Sequence, residues 1–207
     1  MDKILKYFPS LTEEQRHQFS MLDELYHDWN SKINVISRKD IDNLYEHHIL
    51  HSLAIAKALK FTAGTKIMDF GCGGGFPGIP LAIMFPECQF KLIDGTAKKI
   101  RVCQEISQAI GLKNLVAEQR RGEEEKGLFD FIVSRAVMPL PDMVKIVKKN
   151  IKKKDQHNAM PNGILCLKGG ELQHEIHPYK NIVEKTDLTN YFTEEWFKQK
   201  YLIYLPG

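Results

Sequence analysis

The chain has 207 residues, 43% of them hydrophobic and 27% charged, with a formal net charge of +3. This is ordinary globular composition with enough chain to bury a sizeable core, which excludes disorder and coiled coil as global descriptions. Disulfide staples are not needed: Cys72, Cys88, Cys103 and Cys166 form no C-x-x-C pair and read as reduced thiols, with no metal framework.

Residues 1–62 read as a helical extension. Met1 to Phe8 contains no apolar run of signal-peptide length, and no later stretch has the length of a membrane span, so a cytoplasmic protein is expected. Phe19, Leu22, Tyr26, Trp29 and Ile33 recur at spacings of three and four, which places them, Trp29 included, on the apolar stripe of one helix. Ser10 with Glu13, and Thr12 with Gln15, are capping-box candidates at its start. A second helix is predicted from about Ile41 to Leu59, with Leu50, Leu53, Ala54 and Ala58 inward.

From Gly64 the pattern alternates. Strands are predicted at Lys66 to Phe70, Gln89 to Asp94, Asn114 to Gln119, Phe129 to Ser134 and Gly163 to Lys168, with helices at Pro77 to Met84, Thr96 to Ile110 and Met138 to Asn150. This order implies an α/β domain over residues 63–207, a mainly parallel sheet covered on both faces. Ligands then belong at the carboxyl ends of the first strands, where strand order reverses. Lys152 to Asn162 reads as a loop, and two apolar runs, Asn181 to Glu184 and Tyr201 to Leu205, suit an antiparallel addition to one sheet edge.

The most informative segment is Ile67-Met68-Asp69-Phe70-Gly71-Cys72-Gly73-Gly74-Gly75-Phe76-Pro77-Gly78. A strand ends at an acid, glycines follow that let a ligand approach the backbone, and a helix opens near Pro77. Phe76 stands where a dinucleotide fingerprint wants its third glycine, and no Gly-Lys-Ser/Thr follows as a P-loop requires. Glycines at 71, 73 and 75 after an acid instead resemble motif I of class I S-adenosylmethionine-dependent methyltransferases. Asp94 ends the next strand, where a carboxylate can accept hydrogen bonds from both hydroxyls of a ribose. Arg121-Gly122-Glu123-Glu124 follows the third strand, in the place expected to meet the base of an adenosine cofactor.

Further segments add to the likeness: Trp29-Asn30 with Asn34, His48-Ile49-Leu50 with Ser52, Phe76-Pro77-Gly78-Ile79-Pro80, Leu92-Ile93-Asp94 with Lys98-Lys99, Ser134-Arg135-Ala136 and Leu167-Lys168-Gly169. With these, over about residues 25–175, the chain resembles the bacterial small-subunit ribosomal RNA guanine-N7 methyltransferases, the glucose-inhibited division protein B (GidB) family. The resemblance implies a class I, Rossmann-like methyltransferase fold and methyl transfer from S-adenosylmethionine, leaving S-adenosylhomocysteine, to N7 of one guanosine in the 16S RNA. It further implies that Gly71, Phe76, Gly122, Glu123 and Arg135 contact the cofactor, with Asp69, Gly73 and Asp94 beside them. The enzyme is expected to act as a monomer on small-subunit ribosomal RNA, alone or in a ribosomal particle, without metal or membrane.

Guanine N7 carries an in-plane lone pair and is already a nucleophile, so positioning is the main task and no catalytic acid or base is assigned. Arg135 is the leading active-site cation, with an internal salt bridge as the alternative. Lys98, Lys99, Arg101, Arg135 and Lys168 are candidates to flank the RNA entrance, whereas the lysines between Lys145 and Lys154 by themselves read as a solvated helix face. His47 and His51 are four apart, but His48 stands where a zincin has Glu, which favours helix packing or RNA contact over a metal.

Overall fold

The computed structural model describes residues Met1–Gly207. Seven strands form one sheet: β1 (Lys66–Phe70), β2 (Gln89–Asp94), β3 (Leu115–Gln119), β4 (Phe131–Arg135), β5 (Gly163–Gly169), β6 (Glu184–Asp187) and β7 (Lys200–Pro206). Their order is β3-β2-β1-β4-β5-β7-β6, with β1 to β5 parallel and β7 antiparallel to both of its neighbours, β5 and β6. The order reverses between β1 and β4, which opens a crevice at their carboxyl ends.

The central strands are sandwiched by helices and read as near-continuous apolar runs, as burial on both faces demands. Every residue of β1 after Lys66 is buried. Asp69 is the exception in chemistry, a carboxylate with no exposed surface among Ile67, Met68 and Phe70.

The sheet is flanked by α1 (Asp2–Tyr7), α2 (Glu13–Lys32), α3 (His51–Ala58), α4 (Gly78–Met84), α5 (Ala97–Ala109), α6 (Leu140–Val147) and the short α7 (Gln173–Ile176). The capping box is the Thr12 and Gln15 pair: the Thr12 hydroxyl accepts from the Gln15 amide N–H at 3.2 Å, and the Gln15 side chain accepts from Thr12 N–H at 3.0 Å. The side-chain amide of Gln15 also donates to the Ile83 and Met84 carbonyls at 2.9 and 3.1 Å, and Gln18 donates to Ile110 O at 3.1 Å. Two polar side chains of α2 thus satisfy orphan carbonyls at the ends of α4 and α5. Phe19, Leu22, Tyr26 and Leu50 share one cluster of 40 buried residues with Ile67, Phe90 and Phe131, so the extension and the sheet have a common core.

Several boundaries differ from the sequence pattern. Ile41 to Leu50 is a 3-10 turn followed by a π-helical stretch, and regular α-helix begins only at His51. β4 starts at Phe131, and Phe129 makes only an isolated bridge to Ile151. The strand expected at Asn181 to Glu184 lies instead at Glu184–Asp187, because Ile182 and Val183 donate back to Tyr179 O at 2.9 Å and hold a turn. Trp29 is half-buried at the core margin, with the Lys32 ammonium 5.1 Å and the Arg101 guanidinium 5.9 Å from its ring. All four cysteines are buried free thiols. No helix is long and apolar enough to cross a membrane.

Candidate functional site

The glycine loop leaves β1 at Phe70 and enters α4 at Gly78. Gly71 has φ +66°, and a Cβ there would meet a Val137 methyl at 2.7 Å, so a side chain at this position is strained and must displace Val137. Tyr26 of α2 donates to Gly74 O at 2.7 Å and its ring stacks on Phe76 at 4.8 Å between centroids. Cys103 of α5 lies under the loop, its thiol 3.3 Å from Gly73 O and 3.9 Å from Cys72 Sγ.

Two carboxylates hold this loop. Asp69 Oδ2 accepts from Gly78 N–H at 2.7 Å, while its Oδ1 is buried with no partner. Burial pushes the Asp69 carboxyl up to about 7, although the Gly78 hydrogen bond and the Arg135 charge pull the other way. Asp94 Oδ2 accepts from Gly73 N–H at 3.0 Å and Oδ1 from Thr96 N–H at 2.8 Å. A cavity of about 210 Å³ adjoins the loop, lined by Phe70, Gly71, Asp94, Gly122, Glu123 and Val137 among others. Gly122 opens a 3-10 turn after β3, and any Cβ on it would fall into the Phe70 ring and 2.8 Å from an Ile146 methyl. Glu123 and Glu124 are exposed, and the buried carboxylate of this segment is Glu125, paired with Lys91 at 2.9 Å and Arg120 at 3.6 Å.

Arg135 ends β4 and turns its guanidinium toward the helical extension. It stands 4.9 Å from the Phe76 ring centroid, and its Nη2 donates to His48 Nδ1 at 3.0 Å and Nη1 to His47 O at 3.3 Å. His48 Nε2 in turn meets Asp40 Oδ2 at 2.7 Å. Since an arginine N–H can only donate, His48 Nδ1 accepts, and Nε2 carries the proton given to Asp40. Burial and the Arg135 charge push His48 down to about 4, which keeps it neutral at physiological pH. Burial also lowers Arg135 to about 10, still a cation.

The sequence pattern did not single out Asp40, and it read Tyr26 only as core; both touch the site through partners that the chain supplies far away. His51 takes a third direction, edge-on to Trp196 at 5.1 Å, and burial holds its pKa well below the usual imidazole value.

The expected RNA cations divide. Lys98 and Arg101 are exposed and Lys99 half-buried on α5, close to the Asp94 end of the site in sequence. Lys168 departs from that expectation: it is 7% exposed, and its Nζ bonds Glu175 Oε2 at 2.6 Å and Met138 O at 2.8 Å. A lysine held in this way is no free phosphate contact.

A family model described as GidB, rRNA small subunit methyltransferase G, matches residues 15–202. The chain is 63% identical over 204 residues to the ribosomal RNA small subunit methyltransferase G of Bacteroides thetaiotaomicron, covering 99% of this chain and 98% of that one. It is 57% identical over 206 residues to the protein of that name from Flavobacterium johnsoniae, covering 100% and 98%. Among solved structures it resembles precorrin-6y C5,15-methyltransferase from Geobacter metallireducens, with TM-score 0.56 and 10% identity over 84% of this chain and 92% of that one. MtNAS in complex with S-adenosylmethionine gives TM-score 0.58 and 10% identity over 93% and 76%. Such remote likenesses bear on the fold alone.

Proposed function

Because the chain belongs to the GidB family, rRNA small subunit methyltransferase G, over residues 15–202, we propose that it transfers a methyl group from S-adenosylmethionine to N7 of one guanosine in 16S ribosomal RNA. The observation that carries the reading is the loop between β1 and α4, where a side chain at Gly71 is strained against Val137 and an orphaned buried carboxylate oxygen waits at Asp69.

The residues present fit the cofactor by the chemistry of their donors and acceptors. Asp94 is the acceptor for the ribose hydroxyls, and the cavity walled by Gly71, Gly122 and Glu123 takes the adenosine end. Gly73 and Phe76 shape the loop against the methionine portion. Asp69 offers its free oxygen to the ammonium group, and Arg135 offers its guanidinium to the carboxylate. When bound, the sulfonium supplies an electrophilic methyl group.

The chain's own contribution is orientation. The N7 lone pair needs no base to create it, so holding the base and the donor in line supplies the catalysis, to which positioning can contribute about 7 to 11 kcal/mol in favourable cases. Asp40 and His48 fix the guanidinium of Arg135 from the side of the extension. Lys98, Lys99 and Arg101 contribute phosphate contacts near the entrance.

The test is mass mapping of ribosomal RNA from cells with and without this gene. An N7-methylguanosine is expected to be missing without it, restored by the intact protein and not by Gly71→Asp. Identical maps would overturn the reading.

A further inference from the structure

A second cleft opens beside the cofactor cavity, at the carboxyl ends of β4 and β5. It has a volume of about 230 Å³, on the scale of one planar base, and is lined by Ala136, Met138, Pro139, Lys168, Leu172 and Glu175 among others. Met138 also lines the cofactor cavity, so the two spaces share a wall. Ala136, at the lip, has φ +47°, a backbone state that a residue with a Cβ adopts at a cost, and such strain clusters at ligand clamps.

Two charged groups stand side by side in this cleft. Lys168 Nζ uses two of its three protons, one toward Glu175 Oε2 at 2.6 Å and one toward Met138 O at 2.8 Å. Glu175 Oε2 also accepts from Leu140 N–H at 2.9 Å, and Oε1 receives no hydrogen bond from the chain. The cleft therefore presents one unused donor next to one unused acceptor, both fixed by contacts to the segment that follows Arg135.

Among the bases, a hydrogen-bond acceptor directly beside a ring N–H donor on the pairing edge is shown by guanine, O6 beside N1–H, and by uracil, O4 beside N3–H, of which only guanine has an N7; adenine and cytosine reverse it, with an amino donor beside a ring-nitrogen acceptor. We infer that this cleft is the guanine pocket, in which Lys168 donates to O6 and Glu175 accepts from N1–H. N7 lies on the other side of O6 from N1, so gripping this edge leaves the N7 lone pair free to face the shared wall at Met138. Lys168, expected from the sequence beside the RNA entrance, thus reads the base instead of the phosphate.

The inference rests on the proposed guanine-N7 activity and is tested with the full-length enzyme, S-adenosylmethionine and unmethylated small-subunit RNA carrying a replacement at the target base. With wild-type enzyme, inosine, which keeps O6 and N1–H, is expected to be methylated within a few-fold of guanosine. 2-Aminopurine, which keeps N7 but lacks O6 and turns N1 into an acceptor, is expected to lose about 100-fold or more in kcat/KM. Glu175→Gln can present an N–H to that N1, so it is expected to lose activity on guanosine while narrowing the discrimination by about tenfold. Its affinity for S-adenosylmethionine stays that of wild type.

Should Glu175→Gln keep both the wild-type rate on guanosine and the wild-type discrimination, or should inosine be rejected as strongly as 2-aminopurine, the pocket assignment is wrong. Should the variant fold poorly, rejection of inosine or acceptance of 2-aminopurine by the wild-type enzyme still overturns the assignment. A wild-type enzyme that methylates no guanosine at all overturns the proposed function itself, a result distinct from failure of the pocket.

Discussion

At the scale of single residues, two positions carry the cofactor reading. Gly71→Asp forces a side chain into a left-handed backbone and against Val137, and adds negative charge beside Asp69 and Asp94. Calorimetry is expected to show S-adenosylmethionine affinity lost by about 100-fold or more while far-ultraviolet circular dichroism stays that of the folded chain. Asp69 makes a pH prediction. Its carboxyl is raised by burial to about 7 from 3.8, so the folded state prefers the neutral form. The cost of ionising it is absent below the unfolded pKa, grows as pH rises toward the folded one, and is constant above. Asp69→Asn should therefore gain stability relative to wild type between about pH 4 and pH 7, read by denaturant midpoints. The ionised form is the one an ammonium group prefers, so affinity for S-adenosylmethionine should climb with pH and level off above about 7. A flat profile across that window would exclude Asp69 as the ammonium partner.

At the scale of elements, the least regular stretch of the extension is the one that reaches the site. In a regular α-helix, neighbouring side chains diverge by about 100°. The π-helical stretch from Leu44 to Leu50 instead accompanies a placement in which adjacent His47 and His48 both bond the one carboxylate of Asp40, at 2.5 and 2.7 Å. Hydrogen bonds from both imidazoles outweigh burial and hold Asp40 below the usual carboxylate range. Asp40→Ala frees the imidazole of His48 to turn and releases Arg135 from its fixed direction. Binding of S-adenosylmethionine is expected to weaken by about tenfold, the worth of one hydrogen bond to a charged group, with little change in melting temperature. Unchanged affinity would show that Arg135 needs no support from the extension.

At the scale of the whole molecule, the extension and the sheet bury one continuous cluster, from Ile4 through Phe131 to Tyr204. We propose that residues 1–62 and 63–207 unfold as a single cooperative unit, and coincident thermal transitions by fluorescence and circular dichroism are the expected outcome. Exposed charge sets the other global property. Reversing Lys98, Lys99 and Arg101 together should weaken RNA binding and flatten its dependence on salt, with cofactor affinity unchanged, since these side chains do not line the cofactor cavity. An unaltered salt slope would remove α5 from the RNA surface. The local chain sets much of this architecture: the strand runs that became β1, β2 and β5, the capping box at Thr12, and the glycine loop between two acids are all readable one segment at a time, because propensity, periodicity and φ demands act over a few residues. The edge strand β6 was displaced because Glu-Lys-Thr-Asp carries no apolar alternation, and its place is set by pairing with β7. The ties from Asp40 through His48 to Arg135, and from Lys168 to Glu175, join residues up to 95 positions apart or bury a charge that reads as solvent-facing. Whether a lysine meets water or a carboxylate depends on which segments the sheet brings beside it, and that is decided only when the chain closes on itself.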